Sequence, residues 1–456
     1  MRKGIALIMI ANLINLIISL VNGIVLPKYL SIECYALIKT YTLYSTYAGF
    51  FHLGYLDGMY LKYGGRDMLS VSSMEYGTDF WNVSIFQIIV SAVIFILGLV
   101  LNDFVIEAFA IGLFLKNITS CYQMFFQATG EFKLYSSALN YGTFLSFIIS
   151  VILVFIVKTD DAKLYIGAQV FASLVVTIYL ALLLNKKICY LKEIRTSSIV
   201  FKKNIDLGFV LMIGNFSNNL FTSIDRWFVK ILMTTFHFAA YSFAVSIDSL
   251  ITVFITPLYV TLYNVFCKDH SDERVLNIKR LVMMWGFVVI SLAFPAKFVI
   301  EFYLSKYEAS LSLIFVLFST QVFYAIIKGV YVNYFKALKQ QKQYFGQIME
   351  MLAVAIVLSL SLYLIFRSMM SLAIATLLTS VIWLIINELK FKNLRFRVFE
   401  WIYLVGLVLI YLFCGLCLPT IEGCLLYLLS LSLMCFFFMK PQTIEIMKLI
   451  KARIKK

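Results

Sequence analysis

About fourteen stretches of this chain are long and apolar enough to cross a bilayer, and that property leaves few folds open. They run at 4–26, 35–56, 80–101, 104–126, 138–157, 164–184, 207–233, 238–264, 281–300, 309–335, 345–366, 369–387, 401–418 and 424–439. Inside hydrocarbon each backbone N–H and C=O must be satisfied within its own segment, so runs of this length become helices. With 62% hydrophobic and 14% charged residues over 456 positions, the polar surface is too small for a water-soluble globule. The expected class is an all-α polytopic membrane protein.

The connecting segments give an orientation. One set carries most of the Lys and Arg, including Arg2, Lys3, Lys62, Arg66, Lys186, Lys187, Lys202, Lys203, Lys279, Arg280, Lys390 and Lys392. The other holds only Lys28, Lys158, Lys163, Lys297, Lys306 and Arg367. Positive residues are retained in the cytoplasm, which predicts that both termini are cytoplasmic. The net charge of +15 is then mainly a topology signal and gives no support for nucleic-acid binding. Arg2, Lys3 and the long run behind them read as a retained signal anchor.

A polar stripe marks the second half. Asn215, Asn219, Thr222, Arg226 and Lys230 recur at three- and four-residue steps. On one helix they would line one face over roughly 22 Å. Near the start, Met9, Ile10, Asn12 and Asn15 align without a gap on Met212, Ile213, Asn215 and Asn218. Likewise Tyr122, Phe126, Ala128, Lys133 and Tyr135 fall in frame with Tyr331, Phe335, Ala337, Lys342 and Tyr344. The chain reads as a duplication: an N-terminal six-helix bundle (1–184), a basic cytoplasmic linker (185–206), a C-terminal six-helix bundle (207–387), and two extra helices with a basic tail (388–456). An even number of crossings before the linker makes the two bundles parallel pseudo-repeats. The longest outer loop is expected at 296–309.

Charges inside spans point to function. A cation at the bilayer centre costs roughly 2.5 to 3.5 kcal/mol on insertion scales, so Lys116, Arg226, Lys230 and Lys328 should face a cavity or a partner. They outnumber the buried acids Asp225 and Asp248, so a cavity between the halves would be positive and favour an anionic ligand. Asn12 and Asn215 are candidate substrate contacts, with interhelical hydrogen bonding the competing role. Asp225 is either a coupling acid or the structural partner of Arg226. Asp248 is either a proton-coupling acid or the partner of Lys116 and Lys328. Asp57 and Glu350 sit near cytoplasmic helix ends, where water access makes a function less necessary. His52, His237 and His270 are isolated and the eight Cys are scattered, so no metal, cofactor or disulfide framework is expected. No phosphate-loop motif is present, which argues against ATP hydrolysis.

Several passages resemble the polysaccharide (O-antigen) flippases of the multidrug/oligosaccharidyl-lipid/polysaccharide exporter superfamily. They are the opening helix with Asn12, Asn15 and Asn22 followed by GIVLPKYLS, then GYLDGMYLKYGG at 54–65, FFQATGEFKLY at 125–135 and IDRWFVK at 224–230. The resemblance implies a multi-pass protein of the bacterial inner membrane. Such a protein moves an undecaprenyl-diphosphate-linked oligosaccharide, an O-antigen or capsule repeat unit, to the outer leaflet by alternating access. It implies no enzymatic activity, and as partners the bilayer, the lipid-linked substrate, a polysaccharide polymerase and a chain-length regulator. Lys116, Arg226, Lys230 and Lys328 would hold the diphosphate or acidic sugars, with Asp225 and Asp248 as ion-coupling candidates. The alternatives are a peptidoglycan lipid-precursor flippase, which about fourteen helices also fits, a drug/cation antiporter, which needs more buried acids, and a membrane glycosyltransferase or polymerase, which needs a large outer loop.

Overall fold

The computed structural model describes Ile18 and residues 21–269 and 271–445, so Asn12 and Asn15 lie outside the described residues. Every regular element among these is a helix. The chain divides into two compact units, one ending at Leu220 and the other beginning at Phe221.

Unit one starts with α1 (21–29). It continues with α2 (Ile32–Thr46), α3 (Tyr55–Tyr63), α4 (Ser73–Leu101), α5 (Phe104–Ala128), α6 (Phe132–Ile152), α7 (Ala162–Ile188) and α8 (Ser198–Phe221). Unit two holds α9 (Ile224–Leu232), α10 (Thr235–Lys268), α11 (Asp272–Ile290), α12 (Ala293–Tyr303), α13 (Leu311–Ile326), α14 (Val332–Ala337), α15 (Gln341–Phe366), α16 (Met369–Lys390), α17 (Val398–Cys417) and α18 (Thr420–Phe438). Among the described residues, eleven stretches are long and apolar enough to span a membrane. This is a multi-pass membrane protein.

Short polar side chains set the ends of the spans. Ser31 accepts from Cys34 N (3.1 Å), Ser72 from Glu75 N (3.2 Å), Asp103 from Val105 N (2.8 Å) and Asp161 from Lys163 N (2.9 Å). Each satisfies an N–H that the first helical turn leaves without a partner. Between α4 and α5 the chain reverses within Asn102, in the left-handed region at φ 51, and Asp103.

Two spans expected to be continuous are broken. The run at 35–56 stops at Thr46, passes through a tight turn at Ala48–His52, and restarts at Tyr55. Leu53 (φ 50) and Gly54 (φ 83) both take left-handed backbone, which no α-helix can propagate. The run at 207–233 begins earlier, at Ser198, and is interrupted at Thr222 and Ser223. The stripe from Asn215 to Lys230 is therefore not one face of one helix. Asn215 and Asn219 belong to unit one, Arg226 and Lys230 to unit two. The expected outer loop at 296–309 is also helical: α12 runs to Tyr303 and a short turn fills Ser305–Ser310.

Each unit has a buried ionic node. In unit one Asp79, fully buried, accepts from Lys62 Nζ (2.7 Å), Tyr55 OH (3.2 Å), Tyr63 OH and Asn204 Nδ2 (2.9 Å), which joins α3, α4 and α8. In unit two Lys279 donates to Glu388, to Tyr331 OH (2.8 Å) and to Leu394 O (2.6 Å). The last helix pair is fastened to unit two by polar contacts as well. Lys297 Nζ donates to Gly415 O (3.0 Å) and Leu418 O (2.9 Å), Tyr427 OH to Phe287 O (2.8 Å), and Arg280 pairs with Glu400.

Candidate functional site

In unit one, side chains of α4 and α5 donate to backbone carbonyls at the break between α2 and α3. Lys116 Nζ donates to Ser45 O (2.6 Å), Asn117 Nδ2 to Ala48 O (3.1 Å), and Gln87 Nε2 to Phe51 O (3.0 Å). Asn117 also donates to Gln87 Oε1 (2.7 Å), which holds both amides in place. The turn is thereby held open in a defined shape, as non-helical backbone in a membrane requires. Lys116 itself is exposed rather than enclosed.

Against this break lies α8, at backbone contact distance. A Cβ at Gly58 would fall 1.9 Å from Asn204 O, and one at Gly208 would fall 2.0 Å from Gly54 O. Only glycine permits that approach. Two turns beyond Gly208, Asn215 Nδ2 reaches Asp57 Oδ1 at 3.2 Å. His52 Nε2 faces Asp57 Oδ2 at 3.9 Å, and its Nδ1 accepts the Gly54 N–H at 3.2 Å. His52 and Asp57 are each 3% exposed. They open on a cavity of about 120 Å³ that is also lined by Asn215 and Asn219. The sequence places Asp57 near a helix end with access to water; its burial beside α8 corrects that placement.

Unit two gathers the remaining candidates. Asp225, in the first turn of α9, is 7% exposed. Its Oδ1 accepts the backbone N–H of Arg226 (2.8 Å) and its Oδ2 the phenol of Tyr241 (2.8 Å). Thus Arg226 reaches Asp225 through its backbone. The Nε of the Arg226 side chain is buried with no hydrogen-bond partner among the described residues. Lys230, one turn further on, lies over the ring of Phe238 at 5.1 Å. Asp248 on α10 accepts from Gln321 Nε2 (2.8 Å) through Oδ2, while its Oδ1 is buried without a hydrogen-bond partner among the described residues. Lys328 sits in the one-turn π-bulge Ile327–Tyr331, with Nζ over the Tyr324 ring at 4.7 Å. It is within electrostatic reach of Asp248, which also senses Asp225. Unit two therefore assembles Asp225 with Tyr241, and Asp248 with Gln321 and Lys328.

Tyr241, Gln321, His52, Asp57, Gln87 and Asn117 were not singled out from the sequence as site residues. One signal was available. Gly54 and Gly58 flank Asp57 in a Gly-xxx-Gly spacing, the pattern that lets two membrane helices touch.

No protein-family model and no curated protein matches the sequence. Solved structures do match. One is the lipid II flippase MurJ in an inward closed conformation, at TM-score 0.73 and 12% identity, covering 95% of this chain and 99% of that one. A multidrug-resistance MATE transporter of the MOP superfamily, inward-facing, matches at TM-score 0.57 and 13% identity over 83% and 95% of the two chains. A MOP superfamily transporter from Pyrococcus furiosus matches at 0.52 and 14% over 86% and 94%. At these identities the likeness is one of fold, and the fold of this chain is that of the MOP-type membrane transporters.

Proposed function

We propose that this chain is a flippase that carries a polyprenyl-diphosphate-linked oligosaccharide, an O-antigen or capsule repeat unit, from the inner to the outer leaflet of the bacterial inner membrane by alternating access. The observation that carries this reading is the fold shared with a lipid II flippase over 95% of the chain. A diphosphate and its sugars cannot cross hydrocarbon unaided, since each unsatisfied polar group costs several kcal/mol there. Arg226 and Lys230 on α9 and Lys328 in the π-bulge of unit two, with Lys116 in unit one, are the groups proposed to replace that lost hydration. Arg226 has a buried Nε free to donate, and it is the first choice for a phosphate oxygen. Asp225 and Asp248 are the proposed ion-coupling acids. Asn215, already engaged by Asp57, is proposed to act through that carboxylate, and Asn12 remains a proposed contact. A polysaccharide polymerase and a chain-length regulator are the proposed associates.

The same neighbour favours a second reading, in which the cargo is the peptidoglycan lipid precursor. One experiment separates the two. The gene is deleted and complemented with wild type, Arg226→Ala or Lys328→Ala at equal membrane abundance. Loss of surface polysaccharide, restored by wild type and not by the cation variants, supports the first reading. Rescue of cells depleted of their lipid II flippase supports the second. Intact polymer with new sensitivity to organic cations would replace both with an antiporter.

A further inference from the structure

We propose that Asp57 and His52 form a proton-binding site in unit one, with the Asp57 carboxylate as the proton acceptor and the neutral His52 imidazole facing it. The inference concerns unit one alone and does not depend on the identity of the cargo.

The tautomer follows from the contacts. Because Nδ1 of His52 accepts the Gly54 N–H, the ring proton is on Nε2, the atom that faces Asp57 Oδ2 at 3.9 Å. Protonating His52 would set two hydrogens against each other at Nδ1. The proton therefore goes to the carboxylate. Asp57 has the geometry of an acceptor: Oδ1 is held by Asn215, while Oδ2 faces the His52 imidazole at a distance beyond hydrogen-bond length. The cavity on that side, about 120 Å³, has room for water to deliver the proton.

Among the described residues, no other charged group lines the cavity. α2 and the turn after it contribute Thr46, Tyr47 and Phe50, α5 contributes Met124, and α8 contributes Met212 and Phe216. Tyr47 is the only titratable group among these six. Among the described residues this carboxylate is stabilised by the first turn of α3 and by Asn215, and taking up a proton removes its formal charge from the cavity lining. The site also lies where a broken helix meets α8, so a change of charge there acts on the contact that Gly54, Gly58 and Gly208 make possible.

The test is infrared difference spectroscopy of the full chain in lipid nanodiscs on acidification. It follows the carbonyl stretch of protonated carboxyl groups in wild type, Asp57→Asn and Asn215→Leu. Asp57→Asn, nearly isosteric, should lose one band. Asn215→Leu keeps the carboxyl but removes a donor to its charged form, so a larger fraction should be protonated at any given pH. His52→Phe should shift the frequency of the band, which a purely structural role would leave in place. An unchanged spectrum in Asp57→Asn overturns the proposal. So does a band that responds to sodium at constant pH, because the site would then take a metal cation.

Discussion

Lys116 donates a hydrogen bond of 2.6 Å to the carbonyl oxygen of Ser45, in the last turn of α2. A cation at that end of a helix meets a carbonyl of the last turn and the negative end of the helix dipole. The side chain thus holds the broken second span, whatever else it binds. Lys116→Ala should lower stability by about 1 kcal/mol, with Lys116→Arg closer to wild type. Thermal unfolding of the detergent-solubilised protein reads this. If Lys116→Ala melts like wild type, the contact contributes nothing to the fold.

Glycine contacts should be far less tolerant. In Gly58→Ala the new methyl would need the space of a backbone carbonyl, at 1.9 Å from Asn204 O, and neither helix can yield by moving a side chain. We expect loss of most folded protein from the membrane. Gly214→Ala, on the same α8, meets nothing within 4 Å and should be neutral or slightly stabilising. Equal abundance of the two variants would mean that the backbone contact is not required.

The Lys279 and Glu388 pair is fully enclosed, and breaking it from one side leaves a buried charge. Glu388→Gln should cost about 3 kcal/mol. The double change Lys279→Met with Glu388→Leu should be less damaging than the single one, although Leu394 O loses its donor. A single variant as stable as wild type would show that Lys279 sheds its proton or finds water.

Much of the fold was legible in the chain because its signals are local. The run at 104–126 became Phe104–Ala128 and the run at 369–387 became Met369–Lys390, each opened by a capping side chain that the sequence displays. The two breaks were not legible. Leu53 has no residue-level reason to adopt φ 50, and the turn is held by Lys116, Asn117 and Gln87 from other helices. The same limit hid the pairing of His52 with Asp57. What buries it is α8, about 150 residues downstream, through contacts that periodicity does not encode. Charged residues within spans were easy to notice because each carries a large cost alone. Their partners Tyr241 and Gln321 are ordinary in an apolar helix and gain meaning only beside Asp225 and Asp248.

Packing of the last helix pair gives a fourth test. A Cβ at Gly415 would lie 2.1 Å from the Phe315 ring, so Gly415→Ala should push α17 away from α13. Cys414, buried and next in sequence, should then react with a membrane-permeant maleimide several times faster than in wild type. An unchanged rate would mean that the aromatic ring moves aside instead.

Lys297 also dictates an order of events during synthesis. Its acceptors, Gly415 O and Leu418 O, lie 118 and 121 residues further along the chain, so they leave the ribosome long after the ammonium has been inserted. Until then the acid within one helical turn of it is Glu301, 3.9 Å away in the folded chain. The nascent chain must keep a poorly matched cation at the membrane until translation is nearly finished, and only the arrival of α17 and α18 relieves it. Quality control that surveys unpaired charge within the bilayer would find this protein vulnerable in that window, and a chain cut short before residue 415 would never leave it.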